Sequence, residues 1–379
     1  VKYGGGKYNA RSAAAREYVV NTGVKGKSME ERDLRFGLIG CGLWGTHHAA
    51  AIAKTKGAEL AAIAERSDES RAAAKQSHPD AIVVADYAEI INRDDIDVID
   101  IVVPSHLHYE IGKKALEADK HLLLEKPMVL TVPHCNELIS LAGQKRKVLA
   151  VDHEMRLSAV WGQVKRLIDD GAVGTPQYVL LELSRFPYRL GSEGWRFDIK
   201  RVGNWILEEP IHFFDLARWY MEGTGQPSQV FARANSRQPD HPELQDNFTT
   251  IMDFTGGGFA VITQTLAAFE HHVTCKVTGT EGAIWARWSA PDARSAEPVF
   301  ELRYTVGDKL EEVSFAGVTG EVIELEQQIA AMVASVRNGA RPVASGEDGR
   351  WSVLMCLAAQ QSVDTGVPVS IKEFLAGTR

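Results

Sequence analysis

The sequence predicts an α/β protein: a doubly wound parallel sheet first, then an α/β domain built on a large, open, mostly antiparallel sheet. Three observations carry that expectation. Short apolar runs alternate with helix-compatible stretches from Leu34 to about Asp152. A glycine-rich turn joins the first run to the first helix. Beyond Asp152 the apolar runs lengthen and begin to alternate with polar residues.

LRFGLIG, ELAAIAE, AIVVA, DVIDIVV, HLLLE and KVLAVD are near-continuously apolar and of strand length. That is the pattern of parallel strands covered on both faces. DESRAAAKQS, LHYEIGKKALEAD and VPHCNELISLAGQK lie between them as helices, and strict alternation implies crossover units. Residues 34–152 are expected to form the first domain. SAVWGQVKRLIDDG then reads as a helix that Gly171 ends. QYVLLELSRF, FTTIMDF, GFAVITQTL and VTCKVTG read as half-exposed strands, separated by turns at GTGQPSQ, SRQPDHPE and TGGG. EVIELEQQIAAMVASVRNG and GRWSVLMCLAAQQSVDTG close the chain as helices. Residues 153–379 are the second domain, its last helix a candidate to return to the first. Residues 1–33 are polar, basic and without the apolar stretch of a signal peptide. They read either as a disordered tail or as an arm over the cofactor or a neighbouring subunit.

A length of 379 residues suits two domains. Hydrophobic and charged contents of 45% and 24% suit a soluble protein with a real core. A net charge of −8 argues against a nucleic-acid partner, which calls for a basic stripe. Cys41, Cys135, Cys275 and Cys356 form neither a disulfide framework nor a CxxC knuckle, which favours a reducing, cytoplasmic setting. No apolar run approaches the ~18 residues of a membrane span.

In RFGLIGCGLWGTHHA, Gly40, Gly42 and Gly45 end an apolar strand and open a helix. In that setting the first glycine makes the turn, the second admits a pyrophosphate, and the third lets helix and strand pack. Leu43 and Trp44, inside the loop, are cofactor-side candidates with them. Glu65 closes the next strand, 20 positions after Gly45, where a carboxylate binds ribose hydroxyls. It favours NAD over NADP; Arg66 beside it softens the preference. His47 and His48 read as packing or surface residues. His271, His272 and Cys275 sit in a strand-like stretch with no second ligand pair, and no metal is expected.

IVVPSHLHYE and HLLLEKPM fall at strand carboxyl ends, where open parallel sheets hold ligands. An unpaired ammonium is costly to bury, so Lys126 reads as a crevice residue, aimed by the turn at Pro127. Pro104 and His108 are expected along the nicotinamide, with Glu125 beside them.

GLIGCGLWG, PSHLH and EKP resemble the Gfo/Idh/MocA family, that of glucose–fructose oxidoreductase and inositol dehydrogenase, from Leu34 onward. The resemblance implies a Rossmann domain and an α/β domain whose open sheet forms a dimer or tetramer interface. It also implies oxidation of a secondary hydroxyl on a sugar or cyclitol by NAD or NADP. The family's second signature, a glycine-rich run into Asp-x-Gly-x-His-x-x-Asp, reads here VGNWILEEPIHFFD. His212 and Asp215 fall on its histidine and last aspartate; Glu208 stands for the first aspartate, Pro210 for the glycine, and Gly203 alone remains of the glycine run.

The residue types suit that chemistry. Pro210 fits the first turn of a helix, bringing Glu208 and His212 together. A histidine can take the alcohol proton while a carboxylate orients it, and Lys126 can stabilise the developing alkoxide. The plainer reading of His212 is a helix-face residue satisfied by Asp215. Arg156, Trp195, Arg196, Tyr188 and Trp205 are candidates to hold a polyol, with Asp152 and His153 at the crossing between domains. The leading function is an NAD-dependent dehydrogenase of a sugar, glycoside or cyclitol. The alternatives are an enzyme that recycles bound NAD between two sugars, an NAD-dependent glycosidase, and a non-catalytic regulator, against which Lys126 and His212 together count.

Overall fold

The computed structural model describes residues 32–295, 297–317 and 319–377; the expectation for residues 1–33 lies almost wholly outside them. The first sheet contains β1 (Leu34–Ile39), β2 (Ala58–Ala64), β3 (Ile82–Val84), β4 (Val98–Ile101), β5 (His121–Glu125) and β6 (Leu149–Asp152). All pair in parallel, in the order β3-β2-β1-β4-β5-β6. The order reverses between β1 and β4, which opens a crevice at the strands' carboxyl ends. The crossovers are α1 (Gly45–Lys54), α2 (Asp68–Ser77), α3 (Tyr87–Ile91), α4 (His108–Glu117) and α5 (Val132–Lys145). Side chains cap several: Ser67 accepts from the Ser70 amide, and Thr131 from the His134 amide.

The chain then passes through a 3-10 turn at Glu154–Leu157 and helix α6 (Trp161–Asp169) into a nine-stranded sheet. Its strands are β7 (Pro176–Arg185), β8 (Pro227–Asn235), β9 (Asn247–Phe254), β10 (Phe259–Thr265), β11 (His271–Gly279), β12 (Ala283–Ala290), β13 (Val299–Val306), β14 (Lys309–Glu312) and β15 (Val369–Ser370). In the order β14-β13-β12-β11-β7-β10-β9-β8-β15, only β7 and β10 pair in parallel. This is the expected open, mostly antiparallel sheet. Between β7 and β8 lie α7 (Ile199–Val202) and α8 (Pro210–Tyr220); α9 (Glu321–Asn338), α10 (Gly346–Thr365) and α11 (Ile371–Gly377) end the chain.

Five of these strands were not anticipated. β8 begins at Pro227, inside a stretch that reads as a turn. In β12 the buried positions are Ile284, Ala286, Trp288 and Ala290, and alanine gives weak apolar contrast.

Two late helices return to the first sheet. Leu325, Ile329, Met332 and Val333 of α9 pack with Phe36, Leu38, Ile52 and Ile63. Helix α10 touches α5 and β6 on one side and α8 and β8 on the other. It starts with a capping box, Ser345 and Asp348 bonding each other's backbone amides. Through Ile99, Leu124, Phe213, Phe214, Leu181 and Ile262 one core runs beneath both sheets.

A buried ion cluster fastens this joint. Arg156 forks onto Asp215 at 2.6 and 2.7 Å and donates to the Val343 carbonyl at 2.9 Å. Asp348 lies 3.5 Å from Arg156 and 3.0 Å from Arg218. Burial alone raises an aspartate pKa; Arg156, the Ser345 donors and Arg218 outweigh it and hold Asp348 well below the usual range. Removing one partner of such a cluster leaves an uncompensated buried charge. Arg156→Ala is expected to lose about 3–5 kcal/mol, read from the urea midpoint. Because the folded pKa of Asp348 is depressed, its contribution is full above the unfolded value of about 3.9. It should fade as pH falls below that value.

Candidate active site

The glycine loop is assembled as its spacing requires. Gly40 has φ 93°, and a Cβ there would stand 2.2 Å from the Val102 carbonyl oxygen. A Cβ on Gly45 would stand 2.1 Å from the Gly40 oxygen, so α1 can start only as close to β1 as glycine permits. A Cβ on Gly42 would meet nothing within 4 Å. The loop is thus packed on two sides and open on the third, in front of the first turn of α1, a fit for a pyrophosphate. Glu65 hangs at the same loop, accepting from the Cys41 amide at 2.8 Å and the Ser67 amide at 2.9 Å. Its carboxylate fits ribose hydroxyls. Leu43 is exposed, and Arg66 reaches out to Glu193 at 2.8 Å.

Deeper in the crevice, Glu125 faces inward. It accepts from the Trp44 indole at 2.5 Å, from His48 Nε2 at 3.0 Å and from the Lys126 amide at 3.0 Å. His48 Nδ1 meets Asp100 at 2.9 Å. Burial pulls the imidazole pKa down, but Asp100 and Glu125 lift it well above its usual value, so His48 is an imidazolium between two carboxylates. Burial would raise Glu125, yet His48, Lys126 and Trp44 bring it to about 2. Asp152, 3.5 Å from His48, is raised well above the usual range by burial and the charge of Glu125. His48, Glu125 and Asp152 bring donor atoms within 4.8 Å of one another. Both His48 nitrogens already serve carboxylates. His48 is therefore a hub of buried hydrogen bonds rather than the plain packing residue the sequence suggests. Of the other histidines weighed for metal, His271 pairs with Glu209 at 3.7 Å and His272 with Glu270 at 3.3 Å.

His108, expected along the nicotinamide, serves as a brace at the strand ends. Its ring is buried between the carbonyls of Pro127 and Val103, each at 2.8 Å. It ties the turn after Pro104 to the EKP segment, where the Lys126–Pro127 bond is cis.

Lys126 is half-buried, and its ammonium donates to the Glu208 carbonyl. Burial pulls its pKa down; Glu208, Glu125, Glu209 and Glu154 outweigh that and hold it above its usual value. His212 lies in the first turn of α8, its amide donating to the Glu209 carbonyl at 3.1 Å. Burial, then the Lys126 charge, then His153 push its pKa well below the usual value. Lys126 and His212 thus share one neighbourhood. The His153 ring stands edge-on to that of His212 at 5.6 Å, and His212 Nδ1 is buried without a hydrogen-bond partner.

Other candidates go elsewhere. Glu208 bonds Arg196 at 2.5 Å rather than His212, because its longer side chain reaches the neighbouring loop. Asp215 faces Arg156 and Ser352 in the ion cluster, so each neutralises the other, and Asp215 Oδ1 stands 3.9 Å from His153 Nε2. Arg196 stacks over Trp195 at 4.8 Å, both half-buried. Tyr188 and Trp205 fill a small core with Val202, Leu244 and Leu266.

Sequence reasoning passed over Glu154, Glu209, Arg185 and Glu321. Glu154 Oε1 is 3.8 Å from His212 Nε2. Glu209 pairs with Arg185. Burial, then Glu209, lift Glu321 to about 8. Glu154 sits just past a strand's carboxyl end, and that position was its one signal.

The glycines separate folding from binding. Gly42→Ala should leave the urea midpoint unchanged and weaken dinucleotide binding in titration calorimetry. Gly45→Ala should lower the midpoint as well, because its methyl group meets backbone.

Two descriptions of one family match the chain: the oxidoreductase family, NAD-binding Rossmann fold, over residues 34–153, and the GFO/IDH/MocA C-terminal domain over residues 161–285. The 1,5-anhydro-D-fructose reductase of Ensifer adhaerens is 25% identical over 89% of this chain and 98% of its own. The myo-inositol 2-dehydrogenase of Thermotoga maritima is 24% identical over 90% of this chain and 100% of its own. The solved structure of levoglucosan dehydrogenase in complex with NADH superposes with a TM-score of 0.74 at 24% identity, over 90% of this chain and 99% of that one, which speaks for the fold. A six-stranded parallel sheet in Rossmann order, a second open sheet and both family matches make the chain a member of the Gfo/Idh/MocA oxidoreductases.

Proposed function

We propose that this chain is an NAD-dependent dehydrogenase of a secondary hydroxyl on a neutral sugar, glycoside or cyclitol, with His212 as base and Lys126 polarising the oxygen. What supports the reading is that the Lys126 ammonium, at the carboxyl end of the parallel sheet, donates to the Glu208 carbonyl just ahead of the helix turn that carries His212, and its charge helps lower the imidazole's pKa. The bound nicotinamide supplies the hydride acceptor. Lys126 stays charged and can donate to the hydroxyl oxygen as alkoxide character grows. His212, lowered in pKa, is free to accept the hydroxyl proton.

The surrounding charges argue for a neutral substrate. Arg185 is paired with Glu209, Arg196 with Glu208, and Arg156 with Asp215. None of the three is left to hold a carboxylate or phosphate. The anhydro-sugar and inositol enzymes among its relatives support the same class. Glu65, poised at the loop, favours a 2′-hydroxyl over a 2′-phosphate.

Titration calorimetry should show NAD binding more tightly than NADP; the reverse order rejects the assignment of Glu65. With an inositol, hexose and glycoside panel, reduced-nicotinamide absorbance should rise with oxidised product, whereas product without absorbance would mean internal recycling. Lys126→Ala should keep dinucleotide binding and lose ~100-fold or more in kcat. His212→Asn should lose turnover similarly. The base must be unprotonated and its folded pKa is lowered, so the acid limb owed to His212 should lie below pH ~6.5.

A further inference from the structure

The ribose end of the crevice holds a residue that works against the preference Glu65 sets. Arg66 follows that carboxylate directly, and a guanidinium near the ribose acid is the group that accommodates a 2′-phosphate. Left free, it would offset the discrimination. It is not free. Its Nη2 donates to Glu193 Oε1 at 2.8 Å, and Glu193 belongs to the second domain, on the loop between β7 and α7. A further guanidinium beside it, that of Arg71, is engaged by the Glu65 and Arg66 carbonyls at 2.8 and 2.6 Å and by Asp68.

We propose that Glu193 is a specificity-determining residue for the dinucleotide: it occupies Arg66 and sets a negative charge beside the ribose, so that the second domain withholds a cation from a 2′-phosphate. The inference rests on the NAD reading above and assigns part of that preference to a residue far from the glycine loop in sequence.

The loop is shaped to deliver this carboxylate. Glu193 has φ 54°, in the left-handed region, and the other two left-handed positions of the same turn are Gly191 at 74° and Gly194 at 67°. A side chain makes that conformation costly, yet a glutamate stands there. Gly191 lets the turn close on Trp195, since a Cβ would stand 2.5 Å from the indole nitrogen. Arg201 of α7 donates to the Glu193 carbonyl at 3.2 Å, and its other nitrogen lies 3.5 Å from the carboxylate. Three residues on, Arg196 bonds Glu208, whose carbonyl takes the Lys126 ammonium. One loop therefore links the catalytic lysine to the ribose end.

The Arg66 and Glu193 side chains are 80% and 63% exposed, and an exposed pair does little for stability. Facing a ligand, the same pair decides whether a phosphate meets a free cation or an occupied one. Charges arranged in this way act on specificity more than on affinity.

The test is Glu193→Gln, made in the full chain, with NAD and NADP titrated by calorimetry at low and high salt. The NADP Kd should fall about three- to fivefold, the upper range for an exposed ion pair, while the NAD Kd stays within about twofold. High salt should shrink the gain, because exposed charges are screened. In the double variant Arg66→Ala with Glu193→Gln, most of the gain should be lost, since the released cation is gone. Glu193→Gly suits the left-handed backbone and should reproduce the gain; it decides the question if the glutamine variant fails to fold. An unchanged ratio of the two Kd values, equal weakening of both dinucleotides, or a gain undiminished in the double variant overturns the proposal. If the wild-type protein binds NADP more tightly than NAD, the Glu65 assignment falls, and the shift in ratio on losing Glu193 still decides this one.

Discussion

The crevice depends on one carboxylate. Glu125, the last residue of β5, accepts from the Trp44 indole in the glycine loop, from His48 on α1 and from the amide of Lys126. Three parts that must act together, the loop, the helix behind it and the lysine, are held to a single acid. A buried carboxylate is costly unless fully bonded. The His48 imidazolium, itself fixed by Asp100, is what keeps this one ionised. Such an arrangement adds little net stability, yet it permits few geometries. Moving α1 relative to β5 would strand the Glu125 charge.

Charge pairing also decides which groups remain free. Arg156 and Asp215, both plausible at the site by residue type, neutralise each other and close around Asp348. That cluster ties the 3-10 turn after β6 to α8 and α10, and it therefore sets where His212 enters the crevice. With Arg185 and Arg196 also matched to acids, Lys126 is, among the described residues, a cationic group left at the centre. A site with one ammonium and one neutral imidazole suits alcohol chemistry and offers little to an anion.

Much of the fold is legible in the sequence because the relevant signals are local. Helices α2 and α5 coincide with DESRAAAKQS and VPHCNELISLAGQK, and α8 begins at Pro210 as a first-turn proline should. The glycine loop is readable because each glycine answers a separate steric demand. The strands that escape notice lie in the second sheet, where alanines on the buried face of β12 and the very short β14 and β15 blur the alternation. The site is only half legible for a different reason. Residue type and motif position single out Lys126 and His212 as candidates. Which acid serves which base is a matter of distance between segments far apart in the chain. His108 looks like a ligand-facing residue and is a brace between two carbonyls; Glu154 looks incidental and stands beside His212.

The departures from the family motif at 208 and 210 bear on that last pairing. The extra methylene of Glu208 carries its carboxylate out to Arg196 on the loop before α7, while its own carbonyl takes the Lys126 ammonium. The residue at the motif's acidic position thus binds the lysine through its backbone and orders a loop through its side chain. Pro210 fixes the first turn of α8 and so the direction from which His212 arrives. From that direction, the acid within reach belongs to the turn that follows β6. A carboxylate there sits among Asp152, Glu125 and Glu321, where each added negative charge makes a proton more welcome. Substitution at the motif therefore leaves the His212 ring 3.8 Å from a carboxylate that follows the parallel sheet, while the acid of its own motif is spent on Arg196.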